Sequence, residues 1–299
     1  EAEPPVRVVF ESGAGTDEPG APGGTFELAL EAWPAPDSQT RTWYLGADGT
    51  LTDTVGAPGV DTYDHDPEAG GVTSFVQTDD SDGYDQFAAV WEFDWSHFDE
   101  GRVLEYRTDP FVDDALLAGP GAVALYFGST AEDTTVQVSL SEVRSDGVEV
   151  LLTSGWLRLS ARAEDPATTD GLKIGRTFAA EDDELLPSGE LVEARVPLPS
   201  VGAPVRAGSR LNLRISTPGR DHPLWTFASL HPEGEIPTNR VRRGSDTPAT
   251  RVGRGPDPPS RVPRTFLPGG ATPASVPPCP SLRGQACREH LPRANRSES

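Results

Sequence analysis

An all-β sandwich of the jelly-roll kind, with long loops and an irregular C-terminal tail, is the fold class this sequence predicts. Three observations lead there. The 299 residues include 31 Gly and 30 Pro but only 35% apolar residues, Gly not counted, so turns occupy much of the chain and helices are few. Short runs rich in β-branched and aromatic residues recur, each bounded by Gly, Pro, Asp or Ser. No helical period of ten or more residues competes with them.

In chain order, strands are predicted at Val6 to Phe10, Phe26 to Trp33, Thr42 to Leu45, Val103 to Arg107 and Ala122 to Phe127. They continue at Val136 to Val143, Val148 to Leu152, Trp156 to Ala161, Leu191 to Pro197, Leu211 to Ile215 and Leu224 to Leu230. The clearest is Val136 to Val143, where Val136, Val138 and Leu140 alternate with Gln137, Ser139 and Ser141 as in a half-buried strand. Asp146-Gly147 then suits a tight hairpin turn. Val112 to Leu117 is predicted as a turn or two of helix. Residues 53–100 are rich in Asp, Gly and aromatics and read as a long loop region of the functional or neighbour-packing kind. The stretch 236–299 is rich in Pro and Arg, lacks a period, and reads as irregular.

Charge separates that tail from the rest. Residues 236–299 hold 11 Arg against 4 acids, whereas residues 1–235 hold 14 basic and 43 acidic side chains within a total of −22. So acidic a body repels phosphate backbones and anionic lipid, which excludes nucleic acid and membrane surfaces as its partners. No apolar run approaches the roughly 20 residues of a membrane span. The N-terminus lacks the layout of a signal peptide, and no Met stands at position 1 or elsewhere, so the chain reads as a processed or truncated piece.

Chemistry is scarce. The G-x-S-x-G elbow of α/β-type serine hydrolases is absent, and nothing marks any of the five His (65, 97, 222, 231 and 290) as the base of a triad. The cluster "TDDSDG" at Thr78 to Gly83 begins like a calcium loop, but Thr78 replaces the first Asp and Ala89 the closing Glu, so it reads as a solvated turn. Asp61, Asp64 and Asp66 around His65 lack the ligand set of a zinc centre. Neither metal nor cofactor is predicted. Cys279 and Cys287 enclose seven residues, a spacing that suits a local disulfide in an oxidising compartment, with two free thiols in a reducing one as the alternative. Six Trp (33, 43, 91, 95, 156 and 225) suit packing in a core or interface, or the sugar-stacking face of a free-standing carbohydrate-binding module.

Several segments, in order, resemble one family. "PPVRVVF" at Pro4 to Phe10, "AWPAP" at Ala32 to Pro36, "WYLGADGTL" at Trp43 to Leu51, "YDHDPEAGG" at Tyr63 to Gly71 and "VLEYRTDPF" at Val103 to Phe111 are similar to the region after the catalytic domain of X-Pro dipeptidyl-peptidases and cocaine-esterase-like hydrolases. The likeness continues through "LAGPGAVALYFGSTAEDTTVQVSLSEVRSDG" at Leu117 to Gly147, "SGWLRLSAR" at Ser154 to Arg162 and "AGSRLNLRIS" at Ala207 to Ser216. "TNRVRRGSDTPATRV" resembles the family's closing segment, with an echo in "PSRVPRTFLP". "PPCPSLRGQACR" is similar to the extension of secreted actinobacterial members.

The resemblance implies a galactose-binding-like jelly roll over 101–235, preceded by a linking segment, 1–52, that follows a catalytic domain absent from this chain. It implies an α/β-hydrolase domain as partner, with the Ser-Asp-His triad on that domain and no catalytic residue here. Peptide or ester substrate is then met only through that partner. The family's Gly-Gly-x-x-x-Phe loop near the pocket mouth matches Gly70, Gly71 and Phe75. Trp91, Phe93, Trp95 and Phe98, bunched in one loop, are candidates for the interface with the catalytic domain. A secreted bacterial protein is the expected setting. The carbohydrate-binding module is the competing function.

Overall fold

In the computed structural model, which describes residues 4–11, 24–35, 38–67, 72–76, 90–94, 98–219, 230, 234–244 and 251–254, the regular structure is strand with short 3-10 turns. The strands are β1 (Val6–Glu11), β2 (Gly24–Leu30), β3 (Thr42–Leu45), β4 (Leu51–Thr52), β5 (Gly59–Asp64), β6 (Val72–Val76), β7 (Val90–Asp94) and β8 (Val103–Arg107). After them come β9 (Ala115–Ser129), β10 (Thr135–Val143), β11 (Glu149–Arg158), β12 (Val192–Val205), β13 (Arg210–Ser216), β14 (Thr238–Arg243) and β15 (Arg251–Arg254).

Two antiparallel sheets carry the fold. One has four strands in the order β11-β10-β13-β8. The other is organised about β9, whose one edge is followed by β12 through most of its length, while β15 (at 121–124) and β14 (at 127–129) share the opposite edge. From there the sheet extends to β5 through β14, and to β3 and β4 through β15. Hairpins β1–β2 and β6–β7 are two-stranded ribbons not hydrogen-bonded into either sheet among the described residues.

The apolar alternation does what period-2 patterning dictates. Val136, Val138 and Leu140 of β10 and Leu211, Leu213 and Ile215 of β13 turn inward and are 0% exposed. Val123, Leu125 and Phe127 of β9, with Val196 of β12 and Val241 of β14, belong to the same core cluster. A smaller cluster, Phe10 with Leu116 and Ala118, joins the first hairpin to the second sheet.

Several expectations change. Val112 to Leu117 is no helix: β9 begins at Ala115, paired with Val205, because long-range pairing outweighs weak local preference. The run predicted from Ala122 lengthens through Gly119-Pro120, where Pro199 and Ser200 of β12 face the single residue Pro120. Both prolines thus sit at a bulge, where a missing N–H disturbs no ladder bond. Val148 to Leu152 and the first half of Trp156 to Ala161 merge into β11, which passes through Gly155 and ends at Arg158, and Leu159–Ala161 form a 3-10 turn instead of strand. A Cβ on Gly155 would lie 1.9 Å from the Pro197 carbonyl oxygen, so Gly155→Ala should cost about 1–3 kcal/mol in a denaturant titration.

Strand pairing crosses the divisions drawn from composition. Segments 1–52, 53–100 and 236–299 contribute β3 with β4, β5, and β14 with β15 to the same sheet as β9 and β12 of 101–235. Composition registers the loops between strands, whereas sheet membership depends on partners far away in sequence. The predicted strand Leu224 to Leu230 lies outside the described residues except for Leu230.

Candidate functional site

The motif "YDHDP" at the end of β5 is the point from which the Gly-Gly stretch departs, and side chains from four other segments hold it. Tyr63 turns into the core, and its hydroxyl donates to the Ser216 carbonyl at 3.3 Å. Asp64 accepts from Thr238 Oγ1 at 2.9 Å, and its amide donates to the Gly101 carbonyl at 2.9 Å. The His65 amide donates to the Pro237 carbonyl at 2.7 Å, and its Nδ1 lies 3.0 Å from Thr134 Oγ1. The Asp66 amide donates to Thr217 Oγ1 at 3.2 Å. Pro67 then crosses Gly219 so closely that a Cβ there would lie 1.8 Å from the Pro67 oxygen. Tyr63 to Pro67 are therefore fixed by contacts with the rest of the sandwich.

Carboxylates of this stretch are committed to protein donors. Asp61 accepts from the Tyr106 hydroxyl at 2.7 Å and from Arg243 Nε at 3.0 and 3.1 Å. Arg102 lies 3.6 Å from Asp64 and 3.8 Å from Asp66. Burial pushes the Tyr63 and Tyr106 phenols far above their ordinary range, with the Asp61 carboxylate adding to the effect on Tyr106. Both act as neutral hydrogen-bond donors.

A hydroxyl within reach of an imidazole is the nucleus of many nucleophilic sites, and Thr134 with His65 makes such a pair. Thr134 is 0% exposed and His65 7%, which leaves no route by which an acyl carbon reaches Oγ1. Beside them, Asp133 Oδ1 accepts from the amides of Thr134 and Ser160, both at 2.9 Å, and Oδ2 from Arg158 Nε at 2.7 Å. This is a buried structural anchor rather than a reaction centre.

A second polar constellation covers the outer face of the four-stranded sheet. Arg214 of β13, with 6% of its side chain exposed, donates from Nε to Glu105 at 2.5 Å and from Nη2 to Glu149 at 2.8 Å. Asn212 Nδ2 donates to Glu149 at 3.1 Å, and Ser141 donates to the same carboxylate oxygen. Gln137, Ser139 and Ser141, expected on a solvent face, are buried with these groups. Cross-strand partners satisfy Ser139, which meets Ser154 at 2.9 Å. Phe98 is half-buried, and its ring centre lies 5.2 Å from the Arg214 guanidinium carbon. That interface candidate thus has a partner within its own chain.

Phe75 lies in β6 opposite Trp91 of β7, and Phe93 lies opposite Thr73, so one backbone ribbon joins the pocket-mouth and interface candidates. Gly70, Gly71, Trp95, Cys279 and Cys287 lie outside the described residues. Sequence reasoning missed Asp133, Thr134 and Arg214. Only the polar positions alternating with apolar ones in "LNLRIS" signalled a second buried face.

A family model described as the X-Pro dipeptidyl-peptidase C-terminal non-catalytic domain matches residues 1–227. Cocaine esterase of Rhodococcus sp. (strain MB1 Bresler) is 25% identical over 239 residues, which cover 73% of this chain and 38% of the esterase. Among solved structures, a CocE/NonD family hydrolase from Staphylococcus aureus aligns with a TM-score of 0.58 at 16% identity, over 83% of this chain and 40% of that one. An aminopeptidase from the marine sediment archaeon Thaumarchaeota archaeon aligns with a TM-score of 0.54 at 18% identity, over 77% and 38%. These two share the sandwich fold, and this chain spans only a minor part of each relative's length. With most of its length matched by the model and the sandwich seen in its strands, the chain belongs to the family of X-Pro dipeptidyl-peptidase C-terminal non-catalytic domains.

Proposed function

We propose that this chain is the non-catalytic part of a serine hydrolase, a jelly roll that packs on an α/β-hydrolase domain and shapes the mouth of its active site. The observation that carries the reading is the family match over residues 1–227, together with relatives of which the chain covers 38% or so. The parent enzyme cleaves a peptide or an ester through an acyl-enzyme, with Ser, Asp and His on the partner domain. Gly70, Gly71 and Phe75 stand at the pocket mouth, and the anchoring of His65 to Pro67 supports that placement. Secretion is part of the proposal, supported by the disulfide-compatible spacing of Cys279 and Cys287.

On this reading the chain alone turns over neither a proline-dipeptide chromogenic substrate nor an acyl ester, whereas the polypeptide that includes the hydrolase domain does. Turnover by residues 1–299 unaided, blocked by a serine-directed phosphonate, would overturn it. Saturable sugar binding with no hydrolase domain encoded upstream would favour the carbohydrate-binding module instead.

A further inference from the structure

Between β11 and β12 the chain makes an excursion that is anchored at both ends and holds an aromatic ring out in solvent. Arg176, with 4% of its side chain exposed, donates to the carbonyls of Arg162 and Arg195 and lies 4.0 Å from Glu164. Burial pulls its guanidinium below its ordinary range, consistent with an enclosed setting. Arg162 in turn donates to the Leu159 carbonyl at 3.0 Å, bonds the Glu184 carbonyl and meets the Glu184 carboxylate at 2.5 Å. The Glu184 amide donates to the Ser160 carbonyl at 2.9 Å and the Leu186 amide to the Glu132 carbonyl at 2.7 Å, while the Leu186 side chain is buried in the main core.

Between these anchors Phe178 has φ of 48° and is 80% exposed. A left-handed backbone is costly for an aromatic residue, and water gives the ring nothing in return. The segment around the ring is held at both ends. Strain of this sort persists where the surroundings impose it, and it points to use at a contact. Leu185, 56% exposed, adds apolar surface, and the carboxylates of Glu181, Asp182, Asp183 and Glu184 are all exposed between the two.

We infer that residues 177–185 form a docking knob whose Phe178 fills an apolar socket with a basic rim on the hydrolase domain of the same polypeptide. The inference rests on the reading above for the existence of that domain. Charge complementarity names the rim: Glu181, Asp182 and Asp183, next to a Glu184 already paired with Arg162, repel an acidic surface and suit Lys or Arg. A rigid, pre-positioned aromatic loses little freedom on docking, as expected of an interface anchor.

The test is hydrogen exchange in the full-length polypeptide that includes the hydrolase domain. Amides of residues 178–181, which lie clear of the backbone bonds made by Thr177, Asp182, Asp183 and Glu184, should exchange about tenfold or more slowly than those of a free surface loop. Phe178→Gly should remove that protection while leaving the sandwich as stable or more so, since glycine accepts the left-handed backbone. Free-loop exchange in the wild type overturns the inference, and so does protection that grows with protein concentration, which would mark a second copy as the occupant. Protection that survives Phe178→Gly also overturns it. Hydrolysis by the same sample is scored separately: a knob that is protected in an inactive protein sinks the functional reading and leaves the docking intact.

Discussion

Arg214→Ala should lower the unfolding free energy by about 3–5 kcal/mol, because it strips the cation from between two carboxylates that the fold withdraws from water. Glu149 keeps only 12% of its side chain exposed and Glu105 33%, so after the substitution Glu149 is the more stranded. Ser141 and Asn212 still donate to Glu149, but neither supplies charge. Arg214→Lys should lose less, since it retains the charge and gives up the forked geometry. Replacing the trio together, with Arg214→Met, Glu105→Gln and Glu149→Gln, should cost far less than the single alanine change. Urea titrations decide it, and an Arg214→Ala protein within about 1 kcal/mol of wild type would show the ion network to be idle.

Asp133→Ala should be nearly as damaging, at about 2–5 kcal/mol, through the backbone donors it abandons. The amides of Thr134 and Ser160 both donate to Oδ1, and those residues are 0% and 2% exposed, so water cannot replace the carboxylate without opening the fold. Asp133→Asn retains an acceptor there and forfeits mainly the pairing with Arg158, whose side chain is 52% exposed, so its loss should be much smaller. The ordering of the two variants is the critical result. If Asn were the worse, charge rather than donor satisfaction would be what Asp133 supplies. The alanine variant should also loosen Thr134 from His65 and speed exchange at the amides of His65 and Asp66.

Most of the sandwich was legible in the sequence because strands such as β8, β10 and β13 advertise themselves by apolar alternation. β14 does not. In "TNRVRR" only Val241 is a large apolar residue, yet Val241 and Asn239 are both 0% exposed. A strand whose inward face is part polar and whose outward face is arginine looks like tail. β5 hid in the same way, as "GVDTYD" within an acidic loop.

For the site, sequence marked the "YDHDP" motif that precedes the Gly-Gly stretch. It did not show what holds that motif, because Thr134 and His65 are 69 positions apart. Likewise Phe98 reads as a spare aromatic until Arg214 is placed beneath it, and Arg214 reads as an exposed strand cation until Glu105 faces it from 109 positions away. Pairings of that reach carry no local signal.

The order in which the chain is made gives the placement of β14 and β15 a further meaning. Both are synthesised long after β9, yet each takes a stretch of its edge, and among the described residues β5 is linked to β9 through β14. While the ribosome is still working toward residue 238, the nascent chain must leave that edge bare, which invites mispairing with other chains. A premature stop before β14 would therefore release an aggregation-prone half-sandwich, whatever its apolar core had already gathered.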